Sequence, residues 1–217
     1  YVKVIGEDEI GYGGAITTYN RDLTFKTEGT NNRFSGNYVE NADGSKVNNA
    51  IFVYNDYEDG YVSLNFEVGN NGSITFDDEI DGGHAESIYD DEGNYAGSEI
   101  IRDGYGYNVN IYGDVCPQCI VNSVIFNSKV KNVYDLTLDT TQMVLGKNAH
   151  IEIVNDYIAQ NNPYLRLNVD AVNSKTGQLE IGGQVIGTIQ VIANIVNYKD
   201  VRGEESIVFA TAENDTT

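Results

Sequence analysis

Two stretches of the sequence echo each other and decide the fold: GGAITTYNRDLTF at residues 13–25 and NNAIFVYNDYEDGYVSLNF at residues 48–66. Each contains Ala-Ile, then Tyr-Asn, then a run of alternating apolar and polar residues that ends in Phe. A second echo joins GSITFDDEIDG (72–82) to NSVIFNSKVKN (122–132). Echoes of this kind indicate similar coils stacked on one another, because each coil must present aliphatic residues inward and polar residues outward.

The rest of the chain is a series of short strands. VSLNFEV (62–68) and YLRLNVDA (164–171) alternate apolar and polar residues with a period of two, which is typical of strands with one buried face. Turns between them are rich in Gly and Asn, with 23 Gly against 2 Pro in the chain. Spacing of this kind fits a sandwich, a barrel or a solenoid, and the echoes favour the solenoid. We expect almost no helix.

The charge excludes some classes of partner. A net charge of −20 with only 13 Lys and Arg argues against binding nucleic acid or an anionic membrane, since both are bound by clustered basic residues. The 41% of hydrophobic residues is enough for a continuous core. No basic residue lies between Lys46 and Arg102, while acidic residues crowd that interval. The acidic stretch must therefore be solvated or hold cations.

The order of several short motifs resembles the passenger regions of bacterial autotransporters and of the related polymorphic outer-membrane proteins. Gly-Gly-Ala-Ile at 13–16 and Phe-Ser-Gly-Asn at 34–37 match the tetrapeptides that recur in their β-helical coils. The later segments, including Leu-Asn-Val-Asp at 167–170 and Gly-Thr-Ile-Gln-Val at 187–191, are similar to the rungs before the membrane barrel. The resemblance covers about residues 10–212, and no single motif in it is specific.

This resemblance implies a right-handed parallel β-helix displayed on, or secreted from, a Gram-negative cell. It divides the chain into acidic, Tyr-rich coils with loop insertions (1–135) and C-terminal coils that resemble a folding nucleus before a barrel (136–217). The implied function is a non-catalytic stalk or adhesin segment that supports adhesion and folding during secretion. Its partners would be a glycan or protein on a host or neighbouring cell and the C-terminal membrane β-barrel of the parent chain. A β-helical protein that binds or degrades polysaccharide is the alternative.

Cys116 and Cys119 stand at a spacing that redox enzymes and half-zinc sites use. A thioredoxin-like site needs a helix that begins at the first Cys, but β-branched residues follow here. Zinc needs a second ligand pair, and the two histidines, His84 and His150, have no metal spacing. Two alternatives stay open for this pair of cysteines, namely free thiols and a role in metal binding or redox chemistry. The resemblance to exported passengers favours a short structural disulfide between the two cysteines.

The segment from Asp77 is the candidate metal site. Asp77, Glu79 and Asp81 alternate before Gly82, as carboxylates do in calcium loops, but Ile88 occupies the position of the acidic closing ligand. A solvated acidic turn is therefore the favoured interpretation. We expect no cofactor, with calcium as the candidate ion if one is bound.

Tyrosine is the notable excess, with 16 Tyr and no Trp. Tyr gives rigid, amphipathic contact area for sugars and proteins, so the candidates for ligand contact are Tyr57, Tyr61, Tyr89 and Tyr95. Some tyrosines would simply lie on outward strand faces. Catalysis is poorly supported, because the sequence lacks a Gly-x-Ser-x-Gly elbow and a Gly-Lys-Ser/Thr phosphate loop. The prediction is a protein that is not an enzyme.

Overall fold

The computed structural model describes residues 2–3, 14–40, 43–57, 60–69, 71–101, 106–114, 122–198 and 206–212. These residues contain strands and turns but no helix, which confirms the all-β prediction, and accordingly none of them forms a membrane-spanning helix. The strands are β1 (Val2–Lys3), β2 (Ile16–Tyr19), β3 (Leu23–Glu28), β4 (Asn31–Phe34), β5 (Tyr38–Glu40), β6 (Lys46–Asn48), β7 (Ile51–Tyr54), β8 (Ser63–Gly69), β9 (Ser73–Phe76), β10 (Ile80–Tyr89), β11 (Tyr95–Ile101), β12 (Tyr107–Gly113), β13 (Ser123–Phe126), β14 (Lys129–Asp139), β15 (Gln142–Leu145), β16 (His150–Ile153), β17 (Tyr157–Gln160), β18 (Tyr164–Asp170), β19 (Gln178–Ile181), β20 (Val185–Gly187), β21 (Gln190–Val196) and β22 (Ala210–Ala212).

Most of these strands form three stacks of parallel strands. The first stack is β2, β7, β10, the start of β14, β16, β19 and β22. The second stack is β3, β8, β12, the end of β14, β17 and β20. The third stack is β4, β9, β13, β15, β18 and β21. The chain passes from the first stack to the second and then to the third, and then returns to the first stack, where it adds the next strand. We call one such passage through the three stacks a circuit.

The echoes of the sequence lie in register within these stacks. Ile16 is opposite Ile51 and Tyr19 is opposite Tyr54 in the first stack, and Phe25 is opposite Phe66 in the second. In the third stack, Phe76 is opposite Phe126. Equivalent positions in the echoes therefore lie opposite each other in successive circuits.

The core is built from the inward residues of all three stacks. Phe34 stacks on Phe76 at 4.8 Å between ring centroids, and Phe76 stacks on Phe126 at 5.8 Å. Further along the same row the residues become Leu145 and Leu167, which are also buried. Burying a side chain of this size contributes about 1.5–3 kcal/mol, so the row is a continuous source of stability.

The corner between the first and second stacks is where insertions occur, and we call it the first corner. Asn20 and Asn132 make the turn there with φ of 49° and 57°, a region that Asn tolerates better than most residues. The chain between β7 and β8 and the hairpin of β10 and β11 emerge at this corner in consecutive circuits. The insertions of the acidic stretch are thus carried along one edge of the stacks.

Tyr107 fixes the base of that hairpin in the core. It is fully buried, and its ring lies against Gly82, where a Cβ would come within 2.5 Å of the ring atom Cδ1. The carbonyl oxygen of Gly82 accepts a hydrogen bond from Nδ2 of Asn132 in the next circuit. Gly82 is therefore needed for space, because any side chain would collide with the ring of Tyr107 and with the carbonyl oxygen of Val53 in the preceding circuit.

The predicted division into residues 1–135 and 136–217 stays a prediction. Its boundary lies within β14, a strand that pairs with β10 and β12 on one side and with β16 and β17 on the other.

Candidate ligand-binding surface

The four tyrosines predicted for ligand contact form two exposed pairs. Tyr57 and Tyr61 meet edge to face with ring centroids 6.2 Å apart, and Tyr89 and Tyr95 do the same at 6.3 Å. Between about half and two thirds of each side chain is exposed, the extremes being 48% for Tyr57 and 68% for Tyr61. Edge-to-face contact favours this relative orientation of the two rings, so each pair presents joined aromatic surface to solvent.

Both pairs belong to the first corner. Tyr57 and Tyr61 lie between β7 and β8, whereas Tyr89 and Tyr95 close the hairpin that follows in the next circuit. Asn55 supports the earlier segment, because its Nδ2 donates hydrogen bonds to the carbonyl oxygens of Tyr57 and Gly106. The sequence separates these tyrosines by up to 38 positions, and the two insertions that carry them start from the same corner of neighbouring circuits.

Tyr19 belongs to the same edge, and the sequence analysis missed it. Its side chain is 62% exposed and stacks on the buried Tyr54, with ring centroids 4.1 Å apart and planes within 8°. The signal was present in the echo, since Tyr19 and Tyr54 hold the same position in the two copies. We call Tyr19, Tyr57, Tyr61, Tyr89 and Tyr95 the tyrosine edge.

The tip of the hairpin is a fixed turn. The Asp90 carboxylate accepts hydrogen bonds from the backbone N–H groups of Glu92 and Asn94 and from Nδ2 of Asn94. These hydrogen bonds, those from Asn94 first, lower the pKa of Asp90 below its usual value. The turn holds Tyr89 opposite Tyr95, with a bulge between Ile88 and Tyr89.

The candidate calcium ligands have other partners in the structure. Asp77 pairs with Arg33 and also accepts a hydrogen bond from Asn127, and Glu79 pairs with Lys131 at 2.6 Å. Partial burial opposes ionisation of Asp77, but hydrogen bonds from Arg33, Asn127 and Ser35 outweigh it and lower the pKa of the carboxyl. Across the described ranges, no group of three or more His, Cys, Asp or Glu side chains could hold a metal ion. The structure therefore does not bring Asp77, Glu79 and Asp81 together as a site.

Asp78, between two of those residues, has a structural role that the sequence analysis did not assign. Its buried carboxylate accepts hydrogen bonds from the backbone N–H groups of Gly36 and Asn37 and from Nδ2 of Asn37. The acceptor atoms are thus directed at the preceding circuit. This arrangement fastens two successive turns to each other.

A second buried carboxylate, Asp170, ends β18. It accepts hydrogen bonds from the backbone and Nδ2 of Asn173, from Nδ2 of Asn197, and from Nζ of Lys147 at 3.0 Å. Hydrogen bonds from Asn173 and Lys147 hold the pKa of Asp170 well below its usual range. The carboxylate joins three circuits at one turn, which is a stabilising rather than a ligand-binding arrangement.

Cys116 and Cys119 lie outside the described residues, so the disulfide stays a prediction. Comparison of the chain with protein-family models, with curated proteins and with solved structures finds no match. The tyrosine edge is accordingly the candidate site on the strength of its own geometry.

Proposed function

We propose that this chain is a non-catalytic passenger segment of a bacterial surface protein of the autotransporter type, and that its tyrosine edge binds a ligand on another cell. In this proposal the three stacks are the faces of a right-handed parallel β-helix, which acts as a stalk. The parent chain would continue to a membrane β-barrel, and the segment would be displayed at the cell surface or secreted. The ligand would be a glycan or protein of a host or neighbouring cell.

The observation that carries the proposal is the pair of exposed aromatic contacts at one corner. Tyr is enriched at interfaces and at binding hot spots, because its ring is apolar and its hydroxyl can still make a hydrogen bond, and paired exposed rings offer such contact area to protein and sugar ligands. The parallel, in-register stacks support the stalk, because each circuit offers its edge as a template for the next. Folding could then propagate along the axis during secretion.

The experiment compares a quadruple variant, with Tyr57, Tyr61, Tyr89 and Tyr95 replaced by Ser, with a control variant, Tyr198→Ser. Tyr198 is 72% exposed and lies after the last strand of the third stack, so it matches the others in exposure only. Binding to cultured host cells and to a glycan array is measured beside thermal unfolding. The quadruple variant is expected to lose binding and keep its melting temperature, while the control keeps both. Equal binding by the two variants would mean that the four tyrosines are ordinary surface residues with no part in binding.

A further inference from the structure

The outer part of the β10 and β11 hairpin is a two-stranded ribbon that leaves the stacks. We call residues 84–101 the ribbon. β10 pairs with β7 only from Ile80 to Gly83, and from His84 onward its described partner is β11. Among the described residues β11, Tyr95–Ile101, has a partner strand on one side only, which is β10, so its other edge has no described partner strand. An open edge of this length can accept an added strand.

Two carboxylates oppose each other across the ribbon. Glu86 is directly opposite Glu99, a position in which Cβ atoms lie about 4.5–5.5 Å apart and like charges destabilise the pair. Nε2 of His84 lies 3.2 Å from Oε1 of Glu86, and neither carboxylate has a Lys or Arg partner among the described residues. Two opposed carboxylates beside a strand edge with no described partner strand offer adjacent negative charge to the basic side chains of an added strand.

The same face of the ribbon offers room for an aliphatic chain. Ile88 is two residues beyond Glu86 and is 42% exposed, and Gly97 stands opposite it. A Cβ built on Gly97 has no heavy atom within 4 Å, so bare backbone and open space adjoin Ile88. Glycine within a strand often marks a place where another chain approaches closely.

We propose that the ribbon binds an extended, Lys- or Arg-bearing segment of a partner protein, which adds as a strand to the open edge of β11. The basic side chains lie against Glu86 and Glu99, and their aliphatic stems lie along Ile88. Tyr89 and Tyr95 at the tip supply aromatic faces for a further cation. This inference rests on the proposed function and names the partner class for one part of the tyrosine edge.

Charge decides between this partner and the other classes. The ribbon carries Glu86, Asp90, Asp91, Glu92 and Glu99 and no Lys or Arg. An acidic glycan or an anionic lipid surface would be repelled by it. A neutral glycan could stack on Tyr89 and Tyr95 but would not reduce the repulsion between the carboxylates of Glu86 and Glu99.

The test uses a fluorescent peptide of alternating Lys and Thr, long enough to span β11, because a strand of this sequence presents all its Lys on one face. A Lys-Thr peptide in which every backbone nitrogen is methylated has the same charge but cannot donate backbone hydrogen bonds to a strand edge. Binding is measured by fluorescence anisotropy at low salt, with the double variant E86Q/E99Q beside the control double variant E152Q/E180Q. Glu152 and Glu180 also oppose each other in register, on β16 and β19, so the two variants change net charge equally.

The proposal predicts that the E86Q/E99Q variant binds the Lys-Thr peptide about tenfold more weakly, and that the E152Q/E180Q variant binds it as the unmodified chain does. The N-methylated peptide should bind about tenfold more weakly than the unmethylated Lys-Thr peptide. If both variants bind the Lys-Thr peptide equally weakly, the loss of binding comes from the net charge of the whole chain, and the proposal is wrong. Equal binding of both peptides would overturn strand addition.

The outcome also separates this inference from the proposed function. One outcome would disprove the cationic partner and leave the proposed function standing. In it, the unmodified chain and the E86Q/E99Q variant bind cells or neutral glycans, and the Ser variant of the tyrosines does not. The Lys-Thr peptide does not bind the unmodified chain. If the Ser variant keeps cell binding, the proposed function fails on its own measurement.

Discussion

Replacing Gly82 by alanine tests the packing that anchors the ribbon to the core. The new Cβ would lie 2.5 Å from Cδ1 of Tyr107 and 2.9 Å from the carbonyl oxygen of Val53, both shorter than normal van der Waals contact. Overpacking of this kind costs about 1–3 kcal/mol, because the ring and a paired strand must move together. We expect a loss of about 2 kcal/mol in the free energy of unfolding, measured by urea denaturation.

A double-mutant cycle with Tyr107→Val gives the sharper result. The Tyr107→Val variant alone leaves a cavity and should cost about 3 kcal/mol, near the cost of other large-to-small core changes. In its background the methyl group introduced by Gly82→Ala gains space, so that change should cost about 1 kcal/mol less than in the unmodified chain. Additive effects would mean that Tyr107 does not pack on Gly82, and the packing of β12 against the base of β10 would then be wrong.

Three further predictions concern titration and ions. The pKa of Asp170 is lowered on folding, so the contribution of its carboxylate to the free energy of unfolding is fully present above the ordinary Asp value of about 3.9 and is lost as the pH falls further. Asp170→Asn should therefore make the loss of stability at acidic pH less steep when urea unfolding is measured at a series of pH values. Burial raises the pKa of Tyr157, so its contribution to stability should hold up to about pH 10 and then fall by about 1.4 kcal/mol per pH unit. Tyr157→Phe should make the alkaline slope shallower by that amount without abolishing it, since burial also raises the pKa of Tyr107. The same change should raise stability by about 1 kcal/mol at neutral pH, because the Tyr157 hydroxyl has no hydrogen-bond partner among the described residues. Calcium should leave the melting temperature unchanged, since Asp77 and Glu79 already pair with basic side chains. A large rise in melting temperature with calcium would mean that the acidic turns bind the ion.

The alternating strands were predictable because their signal is local. VSLNFEV (62–68) and YLRLNVDA (164–171) match β8 and β18 to within one residue at each end, since each strand has alternate residues buried. The echoes went further and predicted which residues lie opposite each other in neighbouring circuits. Repetition allows this because equivalent residues in a stack occupy equivalent environments.

The ribbon was not predicted as strand, for a physical reason. IDGGHAESIY contains two adjacent Gly and charged residues, which are typical of a turn, and it forms β10 only because β7 and β11 pair with it. The partners of Asp77 and Glu79 were equally hidden, as Arg33 and Lys131 lie 44 and 52 residues away in sequence. The tyrosines were recognised by their number alone, and their pairing depends on the turn at Asp90 and the bulge beside Tyr89.

The most direct test of the account removes the ribbon and leaves the stacks. Ala85 and Ile100 are directly opposite, so Asn-Gly in place of residues 86–99 would close the hairpin with a tight two-residue turn. Cell binding and thermal unfolding are then measured on this shortened chain and on the unmodified one. The account predicts that binding falls sharply while the melting temperature stays close to its original value, because residues 86–96 bury little against the stacks. Full binding by the shortened chain would contradict a ligand-binding ribbon on an independent scaffold.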